Sequence, residues 1–106
     1  MLVVNRFRVP EPDGERFRAE VETARATLAA CAGFASGRAG RNVDDPTLWV
    51  LTTEWRSVGD YRRALSSYDV KVHAVPLLSR AIDEPSAYEP VEPGADLNIR
   101  GTRSLG

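Results

Sequence analysis

The sequence predicts an α+β domain: one antiparallel four-stranded sheet with helices on one face. Three observations carry this. Two blocks of β-branched and aromatic residues, at the N-terminus and at 47–55, have strand character. Between them one long segment shifts to a helical period. A second helical region then separates the central strands from a final short apolar segment, giving the order β-α-β-β-α-β, the ferredoxin-like arrangement.

Leu2 to Val9 alternates and stops at the turn-rich Pro10-Glu11-Pro12-Asp13-Gly14, so a strand is expected at about 2–9. Its faces are Val3, Asn5, Phe7 and Val9 on one side, and Leu2, Val4, Arg6 and Arg8 on the other. From Glu15 to Cys31, Phe17, Val21, Ala24, Leu28 and Cys31 form one helical stripe, and Gly33 is placed to end the helix. Phe34 to Val43 reads as a weaker strand. Thr47 to Trp55 is a strong one, joined to it across Asp44-Asp45-Pro46 as a hairpin. Ser57-Val58-Gly59-Asp60 matches a capping box and opens a short helix with Val58, Tyr61, Leu65 and Tyr68 turned inward.

A second helical piece begins near Asp69, with Val70, His73 or Ala74, Leu77, Leu78 and Ala81 on its inner side. Pro76 requires a kink or restart within it. Ser86 to Val91 reads as a last strand, and Pro90 assigns it to an edge. The domain is expected to span 1–92, with 93–106 as a flexible tail. One sheet face is left without helices, and a second copy of the chain is the economical cover, so a homodimer is expected.

Composition narrows the function classes. The 106 residues suit one domain, and 14 basic residues against 15 acidic ones leave a net charge of −1. No global field draws the chain to nucleic acid or to a membrane surface. A single Cys31 excludes a disulfide or a Cys-built metal site within one chain, and a single His73 excludes a two-His metal site unless two subunits share it. With no apolar run long enough for a signal peptide or a membrane span, the expected compartment is the cytoplasm. There is no P-loop, no nucleotide-binding glycine fingerprint and no nucleophile elbow.

His73 stands out. It is either a core histidine satisfied by a backbone carbonyl, or a general base or axial haem ligand, with Asp69 four residues earlier on the same face. Asn5 interrupts an apolar strand face. It serves either an inter-strand or interface hydrogen bond, or the orientation of a ligand or dioxygen. Phe7, Phe34, Trp49, Trp55 and Tyr61 are core residues, or line an apolar cavity for a flat aromatic molecule if the helices stand off the sheet.

The run Trp49 to Arg63, with its strand ending in Trp55-Arg56-Ser57 before a short helix, resembles the antibiotic biosynthesis monooxygenase domain. Ala32-Gly33-Phe34 is similar to that family's Pro-Gly-Phe lead into the second strand. The resemblance covers about residues 1–92 and implies a dimeric ferredoxin-like α/β barrel. It also implies a monooxygenase acting with dioxygen and no cofactor or metal on an aromatic or quinol-like small molecule. His73 and Asn5 are then the candidate catalytic residues, and Phe7, Phe34, Trp49, Trp55 and Tyr61 the candidate substrate-binding ones. A haem-degrading branch implies the alternative, with Asn5 and His73 matching its strand Asn and proximal His. That branch has a helix Trp where this chain has Ala64. A non-catalytic dimeric ligand-binding module is the third reading.

Overall fold

A computed structural model describes residues 1–97 of the chain. The elements follow in the expected order. Strand β1 is Leu2–Arg8, helix α1 Gly14–Ala29, strand β2 Phe34–Arg41 and strand β3 Leu48–Trp55. Helices α2 (Val58–Ser66), α3 (Tyr68–His73) and α4 (Val75–Leu78) precede the short strand β4 (Ala87–Tyr88). The sheet order is β2-β3-β1-β4, and every pairing is antiparallel. The fold is the α+β ferredoxin-like one that the periodicities predict.

The core lies between the inner sheet face and α1. Phe17, Val21, Ala24 and Leu28 of the α1 stripe are all buried. They meet Val3 and Phe7 of β1 and Trp49, Leu51 and Trp55 of β3. Burial of each large side chain of this set contributes roughly 1.5–3 kcal/mol. A turn of 3-10 helix at Glu11–Asp13, with Pro12 in its first turn, leads into α1. Gly33 does adopt the left-handed conformation, at φ +87°. Helix α1 has already ended at Ala29, so this glycine turns the chain into β2 rather than capping the helix.

Pro76 causes a restart rather than a bend. Helix α3 stops at His73, Ala74 takes φ −123°, and the proline occupies the first turn of α4, where its missing N–H is harmless. Strand β4 is shorter than expected, pairing only with Leu2 and Val3. Hydrogen bonds from Ile82 N to the Arg6 carbonyl and from Val4 N to the Ser86 carbonyl, both 2.7 Å, hold the approach to β4 along β1.

The inner face of α2 differs from expectation. Asp60 and Ala64 are its buried residues, whereas Val58 and Tyr68 are exposed and Tyr61 and Leu65 only half-buried. Ion pairing is the reason: the Asp60 carboxylate is met by two guanidinium groups and seats against Gly33, which rotates the helix about its axis. In the second helical region Ala74, not His73, takes the inward position, beside Val70 and Leu77.

Within the expected tail, residues 93–97 contain a turn held by the Ala95 N to Glu92 carbonyl bond of 3.0 Å. Residues 98–106 lie outside the described residues. No helix of the described residues is long and apolar enough to cross a membrane.

Candidate functional site

The aromatic residues assigned to a cavity are packed together in two groups. Phe7, Phe17 and Trp49 form one, with ring centroids 5.1 and 5.2 Å apart. Phe34, Trp55 and Tyr61 form the other, at 5.3 and 5.4 Å. Both groups have the tilted or edge-on geometry that aromatic quadrupoles favour. Phe7 and Trp55 are 1% and 2% exposed, so they cannot line an open cavity. The helices do not stand off the sheet, because the α1 stripe and Ala64, Val70, Ala74 and Leu77 of the later helices all belong to one packed core. The Trp55 indole N–H donates to Thr53 Oγ1 at 2.9 Å, deep inside. Burial pushes the Tyr61 phenol up from its ordinary pKa.

Asn5 lies on the inner face of β1 between Val3 and Phe7, opposite Leu51 in the register. It is half-buried, and its amide makes no hydrogen bond among the described residues. The inter-strand bond considered for it is therefore not formed.

His73 is exposed at the end of α3, away from the core. Of the two residues offered for the inner side, Ala74 takes it and the core-histidine reading of His73 is overturned. The helical period turns Val70 and Ala74 inward, and that rotation carries His73 outward. It borders a groove of about 610 Å³ formed where the end of α1 meets α2 and α3. Thr27 comes from the last turns of α1 and Ala30, Cys31 and Ala32 from the segment that follows it; Asp60, Arg63 and Ala64 come from α2, and Ser67, Asp69 and His73 from the α3 segment. The Cys31 thiol points back to the Thr27 carbonyl at 3.6 Å. Asp69 and His73, one turn apart, both border the groove, yet no hydrogen bond joins them. The imidazole has no hydrogen-bond partner among the described residues.

Asp60 supplies the groove's fixed charge. It is 3% exposed, accepting from Arg56 Nε at 2.8 Å and from an Arg63 guanidinium nitrogen at 2.6 Å. Its backbone N–H donates to Ser57 Oγ at 3.1 Å, the expected cap. The Arg56 hydrogen bond, then that of Arg63, holds the carboxyl well below the usual carboxylate range despite burial. Sequence reasoning missed Asp60 and Arg63 as groove residues. The capping box located Asp60 on its helix, but a backbone motif gives no sign that the side chain is also ion-paired.

Haem does not fit these residues as the haem-degrading alternative requires. Asn5 and His73 do not share a cavity: Asn5 faces the inner sheet side, where Val70, Ala74 and Leu77 are packed, and His73 faces the outer groove. Ala64, where that branch has Trp, is buried and presents only a methyl group. Among the described residues no cluster of three or more His, Cys, Asp or Glu could hold a metal ion.

The sequence profile of the antibiotic biosynthesis monooxygenase family matches residues 1–74. The chain belongs to this family. Among solved structures it is similar to a point variant of SnoaB, a cofactor-independent oxygenase from Streptomyces nogalater. That likeness has 26% identity and a TM-score of 0.67, covering 76% of this chain and 82% of that one. It is also similar to Rv0793 from Mycobacterium tuberculosis, at 19% identity and a TM-score of 0.67, over 89% of this chain and 97% of that one. A conserved protein from Methanosarcina mazei Go1 matches at 19% identity and a TM-score of 0.66, over 81% and 84%. The latter two likenesses show the fold. No curated protein sequence matches the chain.

Proposed function

We propose that this family member is a monooxygenase that oxidises an electron-rich aromatic or quinol-like molecule with dioxygen and no cofactor, in the groove at His73. Family membership and the likeness to the SnoaB variant support the reaction type. The observation that carries the site is the position of the single imidazole. His73 stands at a groove of about 610 Å³, with no internal hydrogen bond to compete for its nitrogen atoms.

The chemistry follows from the reactants. Dioxygen accepts electrons one at a time, so the substrate must be a good one-electron donor, which a phenol becomes on losing its proton. His73 takes that proton as general base. The anion passes one electron to dioxygen, and the resulting radical pair joins to form a C–O bond. The peroxide anion takes the proton back from His73, and the hydroperoxide then loses water, the C–H proton leaving with its outer oxygen. One oxygen atom stays as a carbonyl and the other leaves in water; the phenol O–H and the C–H supply the two hydrogens, and the substrate supplies all four electrons. The Arg63 guanidinium borders the groove but is held by Asp60 at 2.6 Å, so the counter-charge for the anion is the imidazolium formed on His73.

The protein is further proposed to act as a homodimer through the sheet face that bears no helix. Leu2, Val4, Leu48 and Val50 lie there half-buried, and Tyr88 is 48% exposed. The β1–β4 register sets Tyr88 beside Leu2, while across β1–β3 these apolar side chains alternate with Glu54, Thr52, Arg6 and Arg8.

The test is turnover of hydroquinones and polycyclic phenols under 18O-labelled dioxygen by metal-free, flavin-free protein. Product carrying one labelled atom, with the other in water, is the expected result. Saturable ligand binding without oxygen uptake would instead establish a non-catalytic binding module.

A further inference from the structure

We propose that a second groove, between α1 and the edge strand β2, binds a small planar carboxylate of the aromatic-acid class. The groove encloses about 670 Å³ and lies apart from the one at His73, with which it shares no residue. The proposal does not rest on the oxygenase reading.

Charge is the first argument. Four guanidinium groups border the groove against two carboxylates. Both carboxylates are engaged: Glu22 receives two hydrogen bonds from Arg25, at 2.9 and 2.7 Å, and Glu15 lies 3.8 Å from Arg18. Arg38 and Arg41 have no carboxylate partner among the described residues. Arg41 stands on the Trp49 side of β2 and Arg38 on the other side of the strand, so the planar fork open to the groove beside the indole is that of Arg41, which matches the geometry of a carboxylate.

The second argument is independent of charge. Trp49 borders the same groove, is 8% exposed, and its Nε1 is a buried donor with no acceptor. It is the one such side-chain atom among the described residues. Trp55 shows the ordinary outcome, with its indole donating to Thr53. A buried N–H without an acceptor is a standing deficit that an incoming oxygen atom relieves. The Arg41 guanidinium carbon lies 5.6 Å from the centroid of the Trp49 ring. A carboxylate drawn to Arg41 therefore arrives beside the indole, and a flat ring attached to it shares the groove with the small part of Trp49 that stays exposed.

Space is the third. At Gly37 and Ala39 the strand offers nothing larger than a methyl group to the groove. Packing already accounts for Gly37, whose added Cβ would come within 2.7 Å of the Phe34 ring. The consequence for the groove is a shallow, unobstructed strand side.

The experiment is titration of 15N-labelled full-length protein with sodium benzoate at constant ionic strength, following the two indole N–H resonances, assigned with Trp49→Phe. The Trp49 resonance should shift saturably while that of Trp55 stays in place. Sodium chloride should not reproduce the shift, and Arg41→Gln should weaken binding at least about fivefold, with a smaller loss for Arg38→Gln. Both variants alter exposed side chains, and an unmoved Trp55 resonance confirms that they fold. A shift that chloride reproduces, that fails to saturate, or that survives both substitutions would mark this as a solvated cationic face and overturn the proposal.

Discussion

Gly33 and Asp60 occupy adjoining space so tightly that a methyl group on Gly33 would overlap the Asp60 side chain. The same glycine's carbonyl accepts the Arg56 N–H at 2.7 Å, and Arg56 in turn donates to Asp60. Next to it the Phe34 ring stands edge-on to Trp55, at 88°. The two stretches that carry the family resemblance, 32–34 and 49–63, are thus two sides of one contact. They specify how β2 leaves α1 and how α2 leaves β3, which is information about the fold more than about the reaction.

Gly33→Ala should accordingly be among the most destabilising single-methyl changes in the chain. The left-handed backbone costs an alanine about 1–2 kcal/mol. Displacing the ion-paired Asp60 adds roughly 1–3 kcal/mol for overpacking. Urea unfolding should show a loss of about 2–5 kcal/mol. A loss below 1 kcal/mol would mean that Asp60 yields freely and does not fix α2.

Acid stability should depend on Asp60. Its folded pKa is lowered from the ordinary value of 3.8, so folding binds fewer protons there than the unfolded chain does. The stabilisation is complete above the unfolded pKa and disappears as pH falls from about 5 through the folded value. Asp45, Glu22 and Glu84 are lowered as well, by Thr47, Arg25 and Arg6 respectively, so the wild-type slope has several sources. Comparison with Asp60→Asn isolates one of them. Below pH 5 the urea midpoint should fall more steeply for wild type than for the variant, and parallel slopes would show that the pair with Arg56 and Arg63 is not a folding determinant.

The outer sheet face offers a direct check on the dimer. Val50 sits in the central strand β3 opposite Arg6, between Leu48 and Thr52. Val50→Asp would place a carboxylate where a stable interface of about 800 Å² per partner needs apolar contact. Light scattering should give a dimer for wild type at micromolar concentration and a monomer for the variant. A variant that remains dimeric would place the interface on another surface.

The fold was legible because its signals are local and periodic. The α1 stripe of Phe17, Val21, Ala24 and Leu28 and the alternation around Val3 and Phe7 each report burial one residue at a time. The α2 face was misjudged because hydrophobicity points to Val58 and Tyr61, whereas a pair of ion pairs and a glycine 27 positions earlier in the chain decide the rotation. The place of the candidate site residues was not legible. His73 and Ala74 are adjacent, and a rotation of about 100° per residue separates a core position from a groove. Which of them turns inward depends on the restart at Pro76 and on the packing of Val70, neither of which a sequence period resolves.

That rotation yields a discriminating prediction for His73. Because the side chain is exposed and bears no hydrogen bond among the described residues, its removal touches no core contact. His73→Ala should therefore alter stability by less than about 0.5 kcal/mol. If His73 is the proton acceptor, oxygenation should fall by roughly 10²–10⁴-fold, the range for a lost general base. Rate and stability then separate cleanly. The loss should shrink with a substrate whose phenol is already ionised at the assay pH, since the proton has gone before the enzyme acts. Equal losses on neutral and ionised substrates would assign His73 to binding and not to proton transfer. An unchanged rate on both would move the chemistry out of this groove.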